Sequence, residues 1–345
     1  MSTQTNTETM QAVVLEKTSE GASLVMRTVA RKQPGPGEAQ VTVYAAALNR
    51  RDVWIRLGRY AGIRLPSILG SDGAGVVSAV GAGVPLDWVG KSVVVNPSLH
   101  FGSNQEAQGA DYRILGMPDD GTYAESVVVP ASNLVAMPAH LSFVEAAALP
   151  LAGLTAYRAL CVRGQLRPGQ TVLIPGIGSG VSTMALLFAH HLGARVIVTS
   201  GSHDKLAAAA RLGASFGVCY RDADWEEQVS RHLGGALVDV VVDGAGADAW
   251  SKSLNLLRPG GRIVSYGATA GLAQIDLRKM FWKQLNILGT TMGSDRDFAE
   301  MVALVSAGKL RPCIDQVLPL SEAMAAHQRM EHSQQMGKLV LKIRD

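Results

Sequence analysis

The chain is predicted to be α/β: a doubly wound parallel sheet set into a chain that is otherwise β-rich. Three observations carry this. From Gly169 onward short apolar runs alternate with helical patterns, which places strands at 171–174, 195–199, 216–220, 238–243, 262–266 and 286–290. A glycine-rich turn, Gly176, Gly178 and Gly180, stands where the first of those strands meets the first helix. The part before it reads as strands and turns, with Pro34-Gly35-Pro36-Gly37 as the clearest turn.

Taken in order, Met1 to Met10 is polar and expected to be a tail. Met10 to Leu15 and Glu38 to Ala47 run apolar or alternate, as strands do. Ile68 to Val80 is a glycine-dense strand region, and Gly90 to Asn96 and Tyr123 to Val129 are further strands. Ser98 to Asp120 is polar and aperiodic, and reads as a long surface loop. Phe143 to Leu160 is alanine-rich with helical spacing and should link two domains. After the parallel sheet come helices at Phe298 to Gly308 and Ser321 to Glu331, then a strand from Lys338 to Ile343. The domains expected are 1–150 with 291–345, and 151–290.

Composition narrows the function. A net charge of +3 over 345 residues argues against nucleic-acid or anionic-membrane partners. No apolar run reaches the roughly 18 residues of a membrane span. Met1 to Met10 lacks a basic region and an apolar core, so no signal peptide is read there, and a cytoplasmic protein is expected. Cys161, Cys219 and Cys313 are too scattered for a disulfide framework or a local zinc motif.

The glycine turn continues into a helix with Val181, Ala185, Phe188, Ala189 and Leu192 on one face, stopped by Gly193. The second strand follows at once, as in a Rossmann dinucleotide site. Gly176, Gly178, Ser179, Gly180 and Val181 are the candidates to meet a pyrophosphate with backbone N–H groups. The third glycine usual in such turns is replaced at Val181 or Ser182. Thr199 leads into Ser200-Gly201-Ser202-His203-Asp204-Lys205, with no acid at the strand tip to accept from ribose hydroxyls. Ser200, Ser202 and Lys205 suit an added 2′-phosphate, so NADP is expected over NAD. Asp204 reads equally as an acid opening the next helix.

The whole chain beyond the tail resembles the medium-chain dehydrogenase/reductases. The resemblance rests on Ala46 to Asp52, Gly70 to Val77, Leu115-Gly116 with Gly121 to Glu125, Leu151 to Tyr157, the glycine turn, Arg258 to Arg262 and Gly337 to Leu341. It implies a GroES-like β-rich domain into which the Rossmann domain is inserted. Zinc-dependent members bind a catalytic metal where this chain has Asn49, Ser71 and Leu151, with Asp72 the one carboxylate nearby. Their four-cysteine lobe falls on Asn96 to Gly109, where Phe101, Asn104 and Ala107 stand in place of three cysteines. Without its metal the lobe should be more mobile.

With those ligands gone the chain resembles the zinc-free, quinone-oxidoreductase-like branch. That branch places Gly201, Lys205 and Tyr220 at the 2′-phosphate and Thr155 near the nicotinamide. It sets Gly244, Gly267, Ala268, Thr269, Leu288 and Thr290 along the cofactor, with Lys338 approaching from the C-terminal segment. Tyr60 and Trp54 would line the substrate pocket. Asn49 and Tyr60 are the candidate catalytic groups, an amide to polarise an acceptor oxygen and a phenol to return a proton. Asn49 reads equally as a loop pin and Asp72 as a buried, paired carboxylate or a substrate-side group. The expected activity is NADPH-dependent hydride transfer to the C=C bond of an α,β-unsaturated carbonyl or a quinone. The alternatives are an alcohol dehydrogenase or carbonyl reductase of the zinc-type family, and a non-catalytic NADPH-binding protein. A homodimer or homotetramer is expected, paired through the sheet-edge strand Asn286 to Thr290.

Overall fold

The structure, a computed structural model, describes residues 8–19 and 21–345. The chain divides into two compact units, Met1–Leu151 with Ser294–Asp345, and Ala152–Gly293. Most of the expected N-terminal tail lies outside the described residues. Its end does not: the strand expected from Met10 opens one residue earlier, in Thr9–Thr18, and Met10 is buried, so the tail stops short of Thr9.

The second unit carries a six-stranded sheet, every pairing parallel. Its order is Phe216–Cys219, Arg195–Ser200, Thr171–Ile174, Val238–Asp243, Leu257–Ser265, Asn286–Gly289. The strands read as valine- and isoleucine-rich runs because both faces are covered. Leu173, Ile197, Val241 and Ile263 form the centre of one apolar cluster with Trp225 and Trp250. The order reverses between Thr171–Ile174 and Val238–Asp243, which opens a crevice at the carboxyl ends of the strands. All the strand tips carrying candidate cofactor residues share that end.

The first unit is built around Glu38–Ala47, which pairs with Asp72–Val80, Ser126–Pro130 and Lys338–Lys342 in a seven-stranded sheet. Thr9–Thr18 pairs along its length with Gly21–Ala30, a strand the sequence did not announce because its burial shows no alternation. The short helix Arg50–Arg56, likewise unannounced, starts where the Asn49 N–H donates to Asp52 Oδ2 at 2.9 Å. Ala47 pairs with both Asp72 and Val340, so Asn49, Asp72 and Lys338 arrive at one end of the sheet. The expected surface loop is bracketed by a two-stranded ribbon, Ser98–Leu99 with Arg113–Ile114. Within it Phe101 is buried and packs edge-on to Tyr112, centroids 5.8 Å apart. Ser103 to Asp111 stay exposed.

Candidate active site

In the first unit Asp72 is the hub, with none of its surface exposed. Its Oδ1 accepts from the Leu151 N–H at 2.8 Å. Its Oδ2 accepts from Asn49 Nδ2 at 2.9 Å and from Lys338 Nζ at 2.7 Å. The ammonium also donates to Leu48 O at 2.7 Å and Asn49 Oδ1 at 2.8 Å. All of its N–H donors are thereby used. Lys338, read from the resemblance as a cofactor contact, has none left for a phosphate. A buried ion pair survives only when hydrogen bonds complete it, and this one is complete. Among the described residues Asn49 keeps one Nδ2 hydrogen uncommitted, since one bond to Asp72 and one from Lys338 exhaust only part of its capacity.

Beside this network lies a second, which the sequence did not single out. Arg51 is 9% exposed. It donates to Ser71 Oγ at 2.7 Å, Leu115 O at 2.9 Å and Met117 O at 3.3 Å. Tyr60 lies against the same guanidinium, half-buried, with its ring 5.1 Å away. Asp52 accepts from the Tyr123 hydroxyl at 3.0 Å. Burial raises the carboxyl of Asp52 despite Arg51 nearby, and burial raises the Tyr123 phenol well above its ordinary value. Trp54 is half-buried on the helix Arg50–Arg56, with the Arg59 guanidinium 5.9 Å from its ring.

In the second unit the glycine turn is organised by a hydroxyl. Ser182 Oγ accepts from the N–H groups of Gly178 at 3.2 Å and Ser179 at 3.0 Å. Ser179 caps the helix Gly180–His191, its Oγ accepting from Ser182 N at 3.0 Å. The serine in place of the third glycine is therefore a working part of the turn. The N–H groups of Gly180 and Val181 have no partner among the described residues and remain for an anion. Gly178 has φ +132°, and a Cβ there would come within 2.9 Å of the Lys205 side chain, so that lysine lies across the turn.

A Cβ on Gly201 would come within 2.7 Å of the Tyr220 hydroxyl and 3.0 Å of Arg221 Nε. Arg221 was missed from the sequence, although it directly follows Tyr220. Ser200 Oγ accepts from Ser202 N at 3.1 Å, and Ser202 caps the next helix. Asp204 falls in that helix's first turn, fully on the surface. Across the crevice Tyr266 packs over Gly244 and meets Ser179. Burial pushes its phenol up to about 12. Tyr266 was missed too, though it directly follows a strand. Thr269 Oγ1 donates to Gly244 O at 3.2 Å, and Gly267 and Ala268 line the same tip. Thr290 N donates to Ser265 O at 2.9 Å, while Leu288 is half-buried in the edge strand and Thr155 is buried in the helix Pro150–Tyr157.

Two family models match: an alcohol dehydrogenase GroES-like domain over residues 35–139 and a zinc-binding dehydrogenase over residues 180–307. The chain is 35% identical to the zinc-type alcohol dehydrogenase-like protein YogA of Leptosphaeria maculans, covering 93% of this chain and 94% of that one. It is 31% identical to quinone oxidoreductase 1 of Escherichia coli, covering 89% and 92%. A solved NAD-dependent alcohol dehydrogenase superposes with TM-score 0.91 at 42% identity, covering 97% and 100%. The zinc that one family model implies does not suit these residues. No group of three or more His, Cys, Asp or Glu side chains comes together among the described residues. Ser71 Oγ donates to Leu115 O, Asn49 is held by Asp72 and Lys338, and Leu151 has no donor side chain. The glycine turn, by contrast, fits a dinucleotide, with open backbone at Gly176 and unclaimed N–H groups at the helix start. No helix among the described residues is long and apolar enough to cross a membrane. A GroES-like unit, a Rossmann unit and relatives along the full length make this chain a member of the medium-chain dehydrogenase/reductases, oxidoreductases dependent on a nicotinamide dinucleotide.

Proposed function

We propose that the protein is an NADPH-dependent reductase acting on the C=C bond of α,β-unsaturated carbonyl compounds or on quinones. The observation that carries this reading is the Asp72 hub. The positions that hold a metal in zinc-dependent relatives are tied into a hydrogen-bonded network, which leaves amide and phenol donors to polarise the acceptor. Kinship with a quinone oxidoreductase supports it.

For the cofactor, Gly176, Gly178, Ser179, Gly180 and Val181 would hold the pyrophosphate. Gly201, Lys205, Tyr220, Ser200 and Ser202 would hold the 2′-phosphate. Thr155, Gly244, Gly267, Ala268, Thr269, Leu288 and Thr290 would follow the rest of the molecule. The reduced nicotinamide, when bound, supplies a hydride to the acceptor's β-carbon. The C=C pair would shift into the bond between the α-carbon and the carbonyl carbon and the carbonyl pair onto oxygen, to which the second Nδ2 hydrogen of Asn49 would donate. Tyr60 returns a proton to the α-carbon and recovers one from water. Lys338 and Asp72 keep the Asn49 amide turned that way, and Trp54 forms part of the substrate wall.

The test is turnover of NADPH and NADH with a panel of small enones and quinones, alongside metal analysis. NADPH preference and enone turnover are expected, and Asn49→Ala should lower turnover roughly 100-fold, the scale of a lost oxyanion donor. Faster oxidation of primary alcohols together with stoichiometric zinc would replace this reading with that of an alcohol dehydrogenase. NADPH binding with no acceptor turned over would replace it with a binding protein.

The assembly proposed is a homodimer or homotetramer. Asn286–Gly289 is one of the two edge strands of the parallel sheet. Close by in the chain, Leu277, Phe281 and Trp282 are 65%, 64% and 83% exposed. A second copy of this chain, pairing edge to edge, would cover them. A monomer in sedimentation at micromolar concentration would rule that out.

A further inference from the structure

We infer that Arg51 is a positioning residue for Tyr60, fixing the phenol so that its hydrogen is offered outward to the acceptor. This rests on the reading of Tyr60 as proton donor.

The helix Arg50–Arg56 ends in a turn through Gly58, whose φ is +71°. That turn brings Tyr60 back beside Arg51. Arg51 Nε stands 3.5 Å from the Tyr60 hydroxyl oxygen, the long end of the hydrogen-bond range, and its Cζ is 5.1 Å from the ring centroid. The guanidinium cannot swing away, because Ser71, Leu115 and Met117 hold its other nitrogens. The one carboxylate that pairs with it among the described residues, Asp52 through Oδ1, is 4.0 Å off and fully buried. An arginine has donors and no acceptor, so the phenol oxygen must accept. The Tyr60 hydrogen is then unclaimed, and it has no acceptor among the described residues. When that hydrogen leaves as a proton for the α-carbon, the O–H electron pair stays on an oxygen facing a permanent cation. Water then restores the hydroxyl. Arg51 touches neither acceptor nor cofactor in this scheme and acts through Tyr60 alone.

The decisive variants are Arg51→Lys, Tyr60→Phe and the pair together. Lysine keeps the charge and reaches Ser71 and Leu115 but has no Nε to aim at the phenol. Three readouts are taken: kcat and KM with a small enone, thermal midpoint, and the resonance of tyrosine labelled with carbon-13 at Cζ, assigned to Tyr60 by its loss in Tyr60→Phe. Arg51→Lys should move that resonance and lower kcat roughly tenfold with KM little changed, and the double variant should be no slower than Tyr60→Phe to within about twofold. If Arg51→Lys does not fold, the nitrogen-15 resonance of Arg51 Nε in the parent protein should shift on Tyr60→Phe. An unmoved tyrosine or arginine resonance, or rate losses that multiply in the double variant, would overturn the role of Arg51 while leaving Tyr60 as donor. Unchanged turnover in Tyr60→Phe would overturn both.

Discussion

The Asp72 network and the glycine turn solve opposite problems with the same groups. Around Asp72 a buried charge is met by Lys338, Asn49 and the Leu151 N–H, and every Lys338 donor finds an acceptor. At the glycine turn Ser182 satisfies two backbone N–H groups and leaves those of Gly180 and Val181 open. The first is a closed circuit, and damage to it should register as lost stability. The second is left incomplete for a ligand, and damage to its open part should register mainly as lost affinity, while its Ser182 brace bears modestly on stability.

The largest expected effect breaks the closed circuit. Lys338→Met leaves Asp72 buried without its cation and should cost about 3–5 kcal/mol in denaturant unfolding. A loss under about 1 kcal/mol would mean the pair carries far less than a buried pair ordinarily does.

The next effect lies in the same unit. His327 is fully buried, edge-on to Tyr123, and neither ring nitrogen has a partner among the described residues. Burial, helped by the Arg56 charge, lowers it from 6.5 to about 3. The unfolded chain therefore binds a proton that the folded one refuses. Stability should fall as pH drops through that window, by about 1.4 kcal/mol per pH unit from this group alone. The slope should flatten in His327→Leu, and an unchanged slope would point to other groups.

Smaller still are two changes at the open turn. Lys205→Met should weaken NADPH roughly tenfold and leave NADH nearly unaffected, by titration of cofactor fluorescence. Equal losses for both would place Lys205 away from the 2′-phosphate. Ser182→Ala strands the Gly178 and Ser179 N–H groups and should cost about 1–2 kcal/mol of stability. An effect as large as that of Lys338→Met would erase the contrast between the two regions.

The same contrast explains what could be read from the chain. The parallel strands were legible because they are short apolar runs punctuated by glycine. The strand expected at 262–266 begins earlier, at Leu257, because Arg258-Pro259-Gly260-Gly261 extends it irregularly across a register shift. The Asp72 network was not legible as a network. Lys338 and Leu48 are 290 positions apart, and the sheet pairing around Ala47, with Asp72 on one side and Val340 on the other, brings them together. His327 was invisible for a similar reason: burial without periodic signal comes from tertiary packing. Tyr266 directly follows a strand of the parallel sheet and Arg221 stands two residues beyond one, and a scan for side chains just past each strand tip would have found both.

Ser182 has one more consequence. Because its hydroxyl already braces the amides of the turn, the cradle is shaped before any dinucleotide arrives. Capture then needs no loop to order itself, and little conformational entropy is lost on docking. Variation in cofactor grip among mutants of this turn should accordingly surface in how long the molecule stays, while the speed of its arrival holds steady.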